Sequence, residues 1–123
     1  MSKKEVLINM NAEFVDFKTV KLNTVLDTGT GAELELSQEG RVSVDCPEEW
    51  EGYSFVYLNI KIHDPGEHFL FDIITQTTLK LPEGTAVLSD ELREECILIA
   101  REKTFAAIRA ISVGMGISEL DLG

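Results

Sequence analysis

YSFVYLNIKIHDPGEHFLFDIITQTTLKL, residues 53 to 81, is the stretch on which the fold turns. Val56, Leu58, Ile60 and Ile62 recur at every second position, which is the period of a strand and not of a helix. HDPGEH (63–68) sets Pro beside Gly and reads as a turn. Phe69, Phe71, Ile73, Leu79 and Leu81 then resume the alternation, with threonines between. Two alternating strands joined by so short a turn predict an antiparallel hairpin, because parallel strands need long crossovers. The other face of its first strand opens with Tyr53, Phe55 and Tyr57 and turns polar at Asn59 and Lys61. A strand buried on both sides stays apolar along both faces, while a solvated face seldom opens with three aromatics. Two readings of the row stand side by side: a groove that grips extended chain, or a contact with a second subunit.

Upstream, Val6, Ile8, Met10, Ala12 and Phe14 share one face. The phase stumbles at Val15, Asp16 and Phe17 and returns with Val20 and Leu22, which predicts a bulge or bend near Asp16. DTGTG (27–31) is a turn signal, after which Leu34, Leu36, Val42 and Val44 resume the alternation. DCPEEWEG (45–52) reads as an acid-rich loop.

Downstream, Ser89 or Asp90 can cap a long helix whose first turn carries Asp90 and Glu91, at the positive end of the helix dipole. Gly114 and Gly116 end it. On a straight helical wheel Leu92, Cys96, Ile99, Ala100, Ala107, Ala110 and Ile111 fall in one arc, opposite Glu91, Glu94, Glu95, Arg101, Glu102 and Arg109. Leu98 and Phe105 fall within that charged stripe, in register with each other. A helix packed on one side only has no need of them, so they are expected to form an oligomer interface, in a homo-oligomer such as a dimer or tetramer. The expected architecture is α+β: one domain over residues 1–123, an antiparallel sheet of about four main strands followed by one long C-terminal helix.

Composition narrows the function. The 123 residues are 44% hydrophobic, and no apolar run reaches the roughly 18 residues that span a bilayer. MSKKEV is not followed by an apolar signal segment, and a cytoplasmic protein without membrane insertion is expected. Twenty-two acidic against 11 basic residues give a net charge of −11, which repels phosphate backbones, so nucleic acid is not an expected partner. Cys46 and Cys96 each read as a buried free thiol rather than half of a disulfide or metal site.

Candidate chemistry is sparse. VLDTGTG (25–31) resembles the catalytic loop of retroviral-type aspartic peptidases, in which two aspartates share a proton across a dimer; Asp27 would be that residue. The same tetrapeptide makes an ordinary turn between strands, and a long helix does not belong to that fold. His63, Asp64, Glu67 and His68 cluster in HDPGEH, but the spacing matches no strong metal pattern and a solvated turn is the expectation. There is no P-loop, nucleophile elbow or dinucleotide fingerprint. No enzyme, cofactor or metal is expected.

EHFLFDIITQ (67–76), followed by LREECILIAREKTFAAIRAISVGMGISELDL (92–122), resembles the SecB protein-export chaperone family in the order and texture of its elements. The resemblance covers residues 53–122. It implies a SecB-like fold with a four-stranded antiparallel sheet, assembly through the long helix, and binding of unfolded polypeptide clients in apolar grooves. On that reading Tyr53, Phe55, Tyr57, Phe69 and Phe71 are the peptide-binding residues. Leu70 and Asp72 match positions at which the family meets the SecA export motor. The alternative is a structural or partner-binding protein that keeps the fold without the export role.

Overall fold

The computed structural model describes residues 12–26, 35–85 and 88–116. Four strands, β1 (Glu13–Leu26), β2 (Ser37–Asp45), β3 (Tyr53–His63) and β4 (Phe69–Lys80), precede one helix, α1 (Asp90–Gly114), with a 3-10 turn over Glu48–Trp50 between β2 and β3. The strands form one sheet in the order β1-β4-β3-β2, antiparallel throughout. The α+β architecture expected from the sequence is the one observed.

The hairpin follows the sequence alternation residue by residue. Tyr53 opposes Lys80 and His63 opposes Leu70, and buried and half-buried positions alternate along both strands. The buried set faces α1. β1 carries the bulge expected beside Asp16, between Phe14 and Asp16, and a second between Thr19 and Lys21. Phe14, Phe17, Thr19 and Leu22 oppose Leu79, Thr77, Thr75 and Ile73, all of which point toward the helix. Two of those steps span three residues, and one extra residue in each step returns the next side chain to the helix face.

Under α1 the core forms two clusters. Val56, Leu79 and Leu81 meet Leu92, Cys96 and Ala100 near the helix start. Leu58, Ile60, Ile62, Phe69, Phe71 and Ile73 meet Phe105 and Ile108 farther along. Between them the Thr75 and Thr104 hydroxyls are 2.7 Å apart, and Thr104 also donates to the Ala100 carbonyl at 2.8 Å. Ser89 caps the helix, its Oγ accepting the Leu92 N–H at 3.2 Å.

The helix corrects the straight-wheel expectation. Leu92, Cys96, Ala100, Thr104, Ile108 and Ser112 are buried, every fourth residue. Four residues turn an α-helix about 40° past a full circle, so the buried line winds around α1 as the helix crosses the twisted sheet obliquely. Phe105 therefore lies in the core at 9% exposure rather than in the charged stripe, whereas Leu98 remains 56% exposed. The two are not on one face. Ala110, placed in the apolar arc by the wheel, is exposed.

Candidate functional site

The sheet is wider than its cover. A helix with its side chains is about 10 Å across, whereas four strands at about 4.8 Å spacing span close to twice that. α1 accordingly packs chiefly on β3 and β4 and only lightly on β1 and β2. On β1 the helix-side residues Phe14, Leu22 and Leu26 are 40%, 43% and 44% exposed, and Val42 on β2 is 40% exposed. Among the described residues an apolar trough therefore runs along the β1 flank of the helix, and Val42 is exposed on the β2 flank. None of these four residues belongs to the sequence-derived site set. The available signal was geometric: one helix cannot roof four strands.

Two cations of α1 lie over aromatic rings. Lys103 Nζ lies 4.3 Å from the centroid of the Phe14 ring, and the Arg101 guanidinium lies 5.1 Å from that of Phe105. Positions two apart on a helix differ by about 200°, so Lys103 faces β1 and Arg101 faces the β2 side. At the start of the β1 trough the Ala12 N–H donates to Glu95 Oε1 at 3.0 Å.

The sequence-derived residues divide between the two faces of the sheet. Tyr53, Phe55 and Tyr57 lie half-buried on the face away from α1, alongside Ile74, Gln76 and Thr78. Phe69 and Phe71 lie on the other face, inside the core at 4% and 0% exposure. No single bound segment reaches both groups while α1 stays in place. Leu70 and Asp72 share the outer face with the aromatic row but sit at its far end, opposite His63 and Lys61. Asn59 Nδ2 fixes the Asp72 carboxylate, donating to Oδ1 at 2.7 Å while also donating to the Ile73 carbonyl at 3.0 Å. Leu70 also lines a cavity of about 300 Å³ with Val25, Lys61, His63 and Phe69.

The HDPGEH segment is a turn closed around Asp64. Its Oδ1 accepts the Phe69 N–H at 2.7 Å, and its Oδ2 accepts the Gly66 N–H at 3.2 Å and lies 3.1 Å from His68 Nδ1. Burial opposes the charge on Asp64, but the Phe69 N–H, followed by the ring and backbone of His68, outweighs it and holds the carboxyl below the ordinary aspartate range. His63 Nε2 lies 3.7 Å from Glu39 Oε2 across the β2–β3 pair. Among the described residues no group of three or more such side chains is placed to hold a metal ion. Both cysteines are free thiols, but only Cys96 is buried as expected, and burial pushes its thiol up; Cys46 is exposed, because it follows the end of β2 on the loop before the 3-10 turn. Asp27 and the DTGTG segment lie outside the described residues. Among the described residues no helix is long and apolar enough to cross a membrane.

No family model matches the chain, and no curated protein matches it. Among solved structures it is similar to a SecB-like chaperone of Mycobacterium tuberculosis in complex with a ChAD peptide from the HigA1 antitoxin. The TM-score is 0.71 at 12% sequence identity, over 96% of this chain and 93% of that one. At that identity the likeness is one of fold: a SecB-like arrangement of four antiparallel strands and a C-terminal helix.

Proposed function

We propose that this chain binds unfolded or extended polypeptide, as a chaperone-like protein without enzymatic activity, and that the trough flanking α1 on its β1 side is its client site. The observation that carries this reading is the uncovered apolar side of β1, where Phe14, Leu22 and Leu26 stay 40–44% exposed beside a well-packed core. Covering about 200 Å² of such surface contributes about 5 kcal/mol before ordering costs, enough for reversible capture of apolar segments. The SecB-like fold supports the same reading, since the M. tuberculosis chaperone was solved with a bound peptide from another protein.

The chain works as a homo-oligomer in the cytoplasm. Leu98, Glu102, Ala106, Ala110 and Gly114 follow the exposed side of α1 at every fourth position, and Val113 beside them is 70% exposed. Small residues on that line let a second helix approach closely, with Leu98 as its apolar anchor. Phe105 supports the interface from behind, as part of the core on which that helix rests.

The outer face of the sheet supplies a partner-binding reading. Asp72, held in place by Asn59, and Leu70 beside it form a positioned acid and apolar pair where SecA or another protein would dock. Export is one use of that surface, and a partner-binding role without export is the other.

The deciding measurement is aggregation of an unfolded client, followed by light scattering without ATP. Protection at near-stoichiometric ratios is expected. Absence of protection across several clients removes the chaperone role and leaves the fold.

A further inference from the structure

Cys46 and Cys96 lie far apart in sequence, yet the fold brings them to one end of the core. Val44, half-buried on β2, packs against the cluster that holds Cys96. Side chains two apart on a strand share a face, so Cys46, next after Asp45, is turned to that same side. The last pair of the β2–β3 ladder is Asp45 with Phe55, which leaves Cys46 beside Ser54 of β3. Ser54 is fully buried on the helix side, and its hydroxyl neighbours the Cys96 thiol. Cys46 also lines a cavity of about 460 Å³ with Leu81 and Leu88, both of which pack in the Cys96 cluster. Burial chiefly raises the Cys96 thiol, and the negative charges of Glu95 and Cys46 add to it, as groups within electrostatic reach do. One thiol thus stands at the open rim of the cluster and the other at its closed centre.

We infer that Cys46 and Cys96 are a reversible redox pair: a peroxide oxidises the exposed Cys46, and Cys96 resolves it into an intrachain disulfide. The Cys46 thiolate attacks the O–O bond, which breaks to give a Cys46 sulfenic acid, and the leaving hydroxide takes up a proton as the first water. The Cys96 sulfur then forms the S–S bond as the Cys46 S–O bond breaks. The hydroxide released there leaves with the Cys96 proton as the second water. Both sulfurs are oxidised, and one peroxide is reduced to two waters. A disulfide sets its two Cα atoms about 4.4–6.8 Å apart. Cys46 is the partner able to adjust to that distance, because the β2–β3 ladder ends at Asp45 whereas Cys96 is fixed in the second turn of α1. The bond ties the end of β2 to the helix, which otherwise packs only lightly on that strand. A thiol reductant reverses it, and the pair is independent of where clients bind.

The test oxidises the reduced full chain with dilute hydrogen peroxide, then unfolds it, alkylates any remaining thiols and reads the intact mass. The expected product has lost two hydrogens, takes no alkyl group on either cysteine and runs as a single chain on a non-reducing gel. The bond closes a loop of about 50 residues, so the oxidised chain should melt about 10 °C higher, and dithiothreitol should return it to the starting value. Cys46→Ser, at an exposed position, should leave the melting temperature of the reduced chain unchanged and remove the shift, with Cys96 still alkylated after peroxide. Cys96→Ser should halt at a Cys46 sulfenic acid that dimedone traps. A wild type in which dimedone traps Cys46 while Cys96 still alkylates overturns the inference. So does a disulfide found only between chains, and so do two thiols that both survive the peroxide.

Discussion

Thr75 in the middle of β4 and Thr104 in the middle of α1 share a hydroxyl–hydroxyl contact of 2.7 Å, with both side chains fully buried. Thr104 donates onward to the Ala100 carbonyl, leaving its oxygen to accept from Thr75. The contact fixes where along the sheet the helix sits, because apolar burial alone is non-directional. Thr104→Val strands the Thr75 hydroxyl with only the Leu58 carbonyl, at 3.5 Å. The loss should be about 1–3 kcal/mol, read as a lower urea midpoint. The double change Thr75→Val with Thr104→Val should recover most of it. Additive losses in the double variant would mean that the two hydroxyls do not act as a pair.

Leu98 and Phe105 should respond in opposite ways. Phe105 packs in the core against the β3–β4 hairpin, so Phe105→Ala should cost about 3–5 kcal/mol of stability. Leu98 is exposed, so Leu98→Glu should leave the fold intact by circular dichroism and shift the assembly toward smaller species by light scattering. An unchanged assembly in Leu98→Glu would take the oligomer contact off the outward line of α1.

The hairpin was legible because its alternation has few exceptions and its turn carries Pro-Gly. The first bulge in β1 was legible too, since Phe14 and Phe17 mark the slip in phase. The second was not, because Thr19 is polar and leaves no hydrophobic mark of the face it occupies. The buried side of α1 was misread for a related reason. Thr104 and Ser112 are buried hydroxyls that a wheel scores as polar, and a wheel assumes a straight line of contact where the twisted sheet demands a winding one. The trough was not legible because exposure of β1 follows from the width of the sheet under one helix, and no residue pattern records it.

Asp64 makes stability depend on acid pH. Its carboxyl titrates lower in the folded chain than in the unfolded one. Its contribution is therefore present above the unfolded value, about 3.9, and is lost as pH falls through the lower folded value. Denaturation midpoints measured between neutral pH and about pH 2 should show that loss in the wild type. Asp64→Asn should show a smaller acid-side slope and a lower midpoint at neutral pH. An identical slope in both proteins would place the acid sensitivity in other carboxylates.

The two candidate client surfaces make separable predictions. Leu22 lies in the trough on the helix side of the sheet, and Tyr57 lies on the outer face, so a segment lying along one face covers one without the other. If clients lie in the trough, Leu22→Ser should raise the concentration needed for half-maximal protection of an unfolded client by about five-fold. That corresponds to about 1 kcal/mol from the apolar area removed. Tyr57→Ser and Phe55→Ser should then leave protection near the wild-type level. If clients instead lie on the aromatic row, the pattern inverts. Circular dichroism and light scattering on each variant separate loss of binding from loss of fold or assembly, since Leu22 pairs with Ile73 of the core and both substitutions touch the sheet. Equal loss from both surfaces in folded variants of unchanged assembly would mean that a client wraps the sheet edge and uses both faces. Weakening of the assembly by Phe55→Ser and Tyr57→Ser would make the row a subunit contact and leave the trough as the client surface.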